Sequence, residues 1–200
     1  MEGTTMMSLP HYTITGEIQS GVETVIYRGY RNVDRASVAI KLFKSESPTS
    51  RQIAKLRHDY EITRDLDLSS VVRAYGLERV GASLALVMES VEEQPLSDIL
   101  RAQPLDLETS LQIADSIADA MGAIHQRHII HKDINPHNVL VRMDTRQVKL
   151  IDFGIATRLS QEIQRAASPD ALEGTLACML NELIDSGLAD LRQTIDGSGT

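Results

Sequence analysis

The stretch His131-Lys132-Asp133-Ile134-Asn135-Pro136-His137-Asn138, followed by Ile151-Asp152-Phe153-Gly154, decides the reading of this 200-residue chain. It sets an acid, an amide and a second acid in order: Asp133, Asn138 and Asp152. That combination suits phosphoryl transfer, which needs a proton acceptor for the incoming hydroxyl and oxygen ligands for magnesium against the phosphates. A lone Asp-Phe-Gly would carry little, because short strings recur by chance, whereas a base and two oxygen ligands in sequence carry much more. The bland alternative is an unrelated turn between strands.

The neighbouring residues frame the motif. Val139, Leu140 and Val141, then Val148, Leu150 and Ile151, read as two short strands with Arg142 to Gln147 as the polar turn between them. Their pairing predicts that Asn138 and Asp152 meet at neighbouring strand ends. Upstream, Leu107, Leu111, Ala114, Ala118, Met121 and Ile124 recur at steps of three and four, so the spacing predicts a helix from Asp106 to His125 with these side chains on its buried face. Earlier still, Val38-Ala39-Ile40-Lys41 reads as a strand carrying a lysine. Taken alone, such a lysine reads as the solvated edge of a strand. Its position about ninety residues before Asp133 favours a cleft instead. A helix is expected from about Ser50 to Leu66, with the next strand beginning at Val71 and Val72.

Together, the segments 38–41, 131–138 and 151–154 resemble the protein kinase family, over roughly residues 11 to 178. More narrowly, HKDIN at 131–135, DLDLSSVVRAYGLE at 65–78 and LEGTLA at 172–177 look like one bacterial group: the Ser/Thr-kinase-like domains at the N-terminus of very large signalling proteins that also carry an ATPase domain, a GAF domain and a sensor histidine kinase. The resemblance implies an α+β fold of two lobes. An antiparallel sheet with a helix would occupy residues 11–90 and a partial helical lobe 91–178, after a disordered start at 1–10 and before a divergent tail at 179–200. It further implies a protein serine/threonine kinase using ATP and Mg2+. Asp133 would be the catalytic base, Lys41 would hold the α and β phosphates, and Asn138 and Asp152 would hold the metal. Asp59 is the expected carboxylate partner of Lys41, with Glu61 as the alternative; Asp is one methylene shorter than the usual Glu, so the helix would have to sit closer. The adenine slot would have Ile26 and Ala39 as roof, Leu140 as floor, Met88 as gatekeeper, and the backbone of Glu89 and Val91 against the base. Each of these is equally consistent with plain core.

Several positions depart from the family pattern. The phosphate loop has Gln19, Gly21 and Thr24 where three glycines are expected, and Cβ atoms at the first and third restrict the approach of backbone amides to phosphate. Lys132 replaces an arginine, exchanging a bidentate fork for a point charge. Asn135 replaces the lysine that steadies the γ-phosphate, and Thr63 puts a hydroxyl where an apolar side chain is usual. After Gly174-Thr175-Leu176-Ala177 the family continues with further helices, whereas this chain carries Leu180, Leu183, Ile184, Leu188 and Leu191 in one interrupted amphipathic pattern. The expectation is a C-terminally truncated helical lobe of marginal stability with little or no transfer activity. The alternative is a non-catalytic pseudokinase module that binds nucleotide or a partner; a small-molecule phosphotransferase is a third reading.

A formal charge of −8 and a pI near 5.2 argue against nucleic acid or an anionic membrane as partner; the resemblance implies a protein substrate or signalling partner. The apolar content of 42% is ordinary for a folded core. A single cysteine, Cys178, fits a reducing compartment. The start MEGTTMMSLPHYT has no apolar core of a secretory signal, and no stretch is apolar enough to span a membrane, so a cytoplasmic location is expected. His11, His58, His125 and His128 read as surface or satisfied core groups, and the resemblance packs His131 on Phe153. Glu92 and Glu93 read as a solvated hinge edge, and Asp98 and Arg101 as the outer face of a short helix opened by Ser97.

Overall fold

A computed structural model describes residues 9–159. The expectations for LEGTLA and for the Leu180 to Leu191 pattern lie outside the described residues. Strands β1 (Tyr12–Ser20), β2 (Thr24–Arg31), β3 (Ser37–Phe43), β4 (Ala74–Val80) and β5 (Ser83–Glu89) form one antiparallel sheet in the order β1-β2-β3-β5-β4. Helix α1 (Ser50–Thr63) joins β3 to β4. β3 is the central strand, and every residue from Val38 to Phe43 is buried, since both faces of the sheet are covered at that point. One face packs Leu9, Val25, Val38, Ile40, Leu42, Ala85 and Val87; the other packs Phe43, Ala74, Leu84 and Leu86 against Leu56 of α1. Leu9 is therefore already part of the core.

The start of α1 is fixed by a reciprocal cap. Gln52 N–H donates to Thr49 Oγ1 at 3.3 Å, and Thr49 N–H donates to Gln52 Oε1 at 2.8 Å. The helix ends at Thr63 rather than Leu66, and Val71 and Val72 do not begin β4. They form a seam with the second lobe: Leu150 N–H donates to Ser70 O at 2.8 Å, and Val72 N–H donates to Leu150 O at 3.1 Å.

The second lobe contains β6 (Gln94–Pro95), α2 (Leu96–Ala102), α3 (Leu107–Gln126), β7 (Ile129–Ile130), β8 (Val139–Val141), β9 (Val148–Leu150) and β10 (Thr157–Arg158). β6, β8 and β9 form one small sheet, and β7 pairs with β10. Pro95, with its preset φ, occupies the N-cap of α2, so Ser97 does not open this helix; its hydroxyl bonds to Asp98 instead. Asp98 and Arg101 form an exposed pair at 2.9 Å. α3 is capped by Asp106, whose Oδ1 accepts from Thr109 N–H at 2.7 Å. Its buried stripe is Ile113, Ile117, Ala120, Met121 and Ile124. Met121 and Ile124 are buried as expected, but the rest of the expected face is corrected: Leu107 and Leu111 are 75% and 61% exposed, and Ala114 and Ala118 are also exposed. The first half of α3 is apolar along two stripes, and there packing on β7 and β9 selects Ile113 and Ile117 over Leu107 and Leu111.

Candidate active site

A cavity of about 340 Å³ lies between the sheet of the first lobe and the β6-β8-β9 sheet of the second. Ile26 and Ala39 line it from the first lobe and Leu140 from the second, with Met88 and Glu89 at the end of β5 and Val91 on the segment that follows. Gly21, Lys41, Asn138 and Asp152 complete the set of expected nucleotide and metal positions, all on this one cavity. Sequence reasoning missed Ile18, Val72, Glu93, Pro95, His137 and Ile151, which also line it. Ile18 lies at a register irregularity of β1 and Val72 outside any strand, so neither could be read from strand alternation. Gly21 sits in the β1–β2 turn, its N–H donating to Thr24 O at 2.9 Å. Glu89 N–H is taken by Arg73 O at 2.9 Å, which leaves the cavity-side contact of this residue to its carbonyl.

Lys41 projects from β3 into a cluster of carboxylates. Its Nζ is 3.4 Å from Asp59 Oδ2 on α1 and 3.2 Å from Asp152 Oδ2 beyond β9. Glu61 is exposed, so of the two candidate partners Asp59 is the one at Lys41. Asp59 is 4% exposed, and its other oxygen accepts from Phe153 N–H at 3.1 Å. The shorter acid is thus accommodated by α1 lying close against the Asp152-Phe153 backbone. Burial disfavours the charge of Lys41, but Asp59 and then Asp152 more than offset it and push its pKa up. Burial raises Asp59, against Lys41, and the nearby Asp152 adds to the rise. Burial also works against Asp152, yet Lys41 and then Lys55 hold its carboxyl below the usual range. Asp152 has a left-handed backbone with φ of 64°, uncommon for a side chain with a Cβ and of the kind retained where function requires it. Because Lys41 is buried between two acids, it also carries structure, beyond the cleft-only role expected of it.

Asn138 reaches the same end of the cavity through the β8–β9 hairpin, where Ile151 N–H donates to Asn138 O at 3.1 Å. Its amide donates to Asp133 O at 2.9 Å and to Asp133 Oδ2 at 3.1 Å, leaving its own Oδ1 as an acceptor for a cation. Asn135 donates to Asp133 Oδ1 at 3.1 Å. Both carboxylate oxygens of Asp133 are therefore held by amides. Among the described residues no group of three acidic, His or Cys side chains forms a metal cage. The amide oxygen of Asn138 and the carboxylate of Asp152 instead suit a magnesium ion that arrives with phosphate oxygens completing its shell.

The surroundings hold this end rigid. His131 is fully buried, its ring centroid 4.4 Å from that of Phe153, and burial pushes its pKa down. In the neutral tautomer that fits, Nε2–H donates to Ile151 O at 3.0 Å and Nδ1 accepts from Asp133 N–H at 3.3 Å. Lys132 Nζ donates to the Thr157 hydroxyl. Thr63 is buried and spends its hydroxyl on Asp59 O at 2.6 Å, which explains how a polar group is tolerated there. At the end of β5, Lys149 pairs with Glu89 at 2.5 Å. Glu92 is a solvated edge, but Glu93 is not: its side chain is 6% exposed, and its Oε1 is 3.1 Å from Arg142 Nη2. His58 has a partner in Ala156 O at 2.7 Å, whereas the two ring nitrogens of His125 are buried without one among the described residues, against expectation. No described helix is long and apolar enough to cross a membrane.

The protein kinase domain family matches residues 12–196. Human mitogen-activated protein kinase kinase kinase 6 is 32% identical over 185 residues, covering 88% of this chain and 14% of that protein. Serine/threonine-protein kinase PrkC of Bacillus subtilis is 29% identical over 190 residues, covering 94% and 29% respectively. Human serine/threonine-protein kinase PAK 4 is 33% identical over 147 residues, covering 74% and 24%. The chain thus spans less than a third of the length of each of these relatives. A match that runs through both lobes, over residues whose side chains converge on one cleft, means that the chain belongs to the protein kinase family.

Proposed function

We propose that the cleft binds ATP with magnesium and supports transfer of the terminal phosphoryl group to serine or threonine hydroxyls of a protein partner. The observation that carries this reading is the convergence of Lys41, Asn138 and Asp152 with the apolar slot on a single cavity. The acceptor class rests on the serine/threonine-protein kinases among the relatives. In this reading Ile26, Ala39 and Leu140 sandwich the base, and Lys41, held by Asp59 and Asp152, positions phosphate oxygens. Bound magnesium would neutralise phosphate charge as the terminal phosphoryl group departs. Asp133 takes the proton from the acceptor hydroxyl, its carboxylate aimed by the amides of Asn135 and Asn138. HKDIN at 131–135 and DLDLSSVVRAYGLE at 65–78 favour a place within a large bacterial signalling protein, and the acidic composition with one cysteine favours the cytoplasm.

A second reading, nucleotide binding without transfer, is favoured by Asn135, whose amide meets Asp133 where a lysine would bring a cation. Titration of the chain with ATP, with and without magnesium, followed by phosphate transfer to a generic protein substrate, separates the two. Transfer that disappears in Asp133→Asn supports the first; magnesium-dependent binding with no transfer supports the second. Absence of ATP binding overturns both.

A further inference from the structure

Lys55 lies one helical turn before Asp59 on α1, and the kinase pattern gives it no role. Its stem runs across Gly154. A Cβ placed there would stand 2.5 Å from Lys55 Cγ, 2.7 Å from Lys55 Cε and 3.2 Å from Asp152 Oδ1. One small volume therefore touches both the lysine stem and a metal-binding carboxylate, and only glycine leaves the stem room to lie there. Lys55 and Asp152 also share the wall of a second cavity of about 130 Å³, together with Glu23, Thr24, Lys41 and Asp59. Thr24, Lys41 and Asp152 line the nucleotide cleft as well, so the two spaces adjoin at the phosphate end.

The charges at that end are unevenly committed. Lys41 is divided between Asp59 and Asp152. Lys132 is engaged with Thr157, and position 135 offers an amide that is bound to Asp133. The Lys55 ammonium has no hydrogen bond or ion pair among the described residues, while its field still reaches Asp152. A polyphosphate in the cleft thus has one buried lysine already shared and one lysine uncommitted.

We propose that Lys55 is a second phosphate-positioning cation of the nucleotide cleft, delivered from α1 and standing in for the cation that the catalytic loop lacks at Asn135. This rests on the reading of the cleft as an ATP site. The test measures binding of ATP and of adenosine to the 200-residue chain in magnesium, for wild type, Lys55→Met and Lys55→Arg. The Met variant is expected to weaken ATP about tenfold or more, as loss of a charge-assisted phosphate contact should. Adenosine binding should stay unchanged, and Arg should recover most of the ATP affinity. Equal ATP affinity in wild type and Lys55→Met overturns the proposal while leaving the ATP reading standing, as does a parallel loss of adenosine, which would mark a structural role. Wild type that binds neither ligand overturns the ATP reading itself, and the proposal with it.

Discussion

Replacing Lys41 with methionine keeps most of the unbranched stem and deletes the charge between two acids. At an effective dielectric of about 20, contacts at 3.4 Å and 3.2 Å each correspond to roughly 5 kcal/mol of attraction. Much of that gross figure vanishes because methionine has no desolvation cost, and the net loss from breaking a buried pair is about 3 to 5 kcal/mol. Such a loss is a large fraction of a domain's stability of about 5 to 15 kcal/mol. The variant should also acquire a distinctive pH dependence. Asp59 is already raised by burial and by Asp152, and Lys41 is its main opposing charge. Without the lysine its folded pKa climbs further above the unfolded value of 3.8. The folded state then holds a proton that the unfolded chain releases, so stability falls as pH rises through this window. Acidification from neutral pH towards 3.8 should therefore return stability, at up to about 1.4 kcal/mol per pH unit. Urea unfolding followed by far-UV circular dichroism suits a chain with no tryptophan. Adding Asp59→Asn, which keeps an acceptor for Phe153 N–H, should rescue the variant near neutrality. A Lys41→Met protein as stable as wild type, or one whose deficit is the same at both ends of that range, would refute the reasoning.

Asp152→Ala should make ATP affinity indifferent to magnesium; calorimetric titrations that retain the magnesium effect would contradict its assignment as a ligand. Burial pushes His131 below its ordinary value of 6.5, so the unfolded chain takes up a proton that the folded one refuses, and stability should decline as pH drops below that value. His131→Phe should flatten part of this slope in denaturation midpoints, with His125, also lowered by burial, supplying the remainder; an unchanged slope counts against it. Gly29→Ala should cost about 1 to 3 kcal/mol, because its Cβ would stand 2.5 Å from the backbone oxygen of Thr13 on β1. Gly76→Ala, with nothing within 4 Å of the added carbon, should be near neutral in the same melts.

The residues that bear the proposed chemistry were legible because their spacing follows from the backbone. A tight β8–β9 hairpin puts Asn138 beside Asp152 whatever surrounds it, and β3 must deliver Lys41 from its middle. What was illegible depended on partners distant in sequence. The first half of the covered face of α3 was misread because Leu107 and Leu111 satisfy helical periodicity as well as Ile113 and Ile117 do, and the choice is made by β7 and β9. Glu93 looked like surface, since nothing local announces Arg142, forty-nine residues away. Val71 and Val72 have strand-like side chains but spend their position on the seam with Leu150, a contact that no single segment encodes.

That seam has a mechanical consequence. Backbone hydrogen bonds along this edge fix the register of the two lobes, so the lobes cannot slide past each other there. A shift by one residue, about 3.3 Å, would break the bonds of Leu150 to both Ser70 and Val72. Glu89 is tied beside the seam to Arg73 and Lys149. The seam end of the cleft is thus held by main chain, and the phosphate end by side chains that cross between the lobes: Lys41 to Asp152, Asp59 to Phe153 N–H and His58 to Ala156 O.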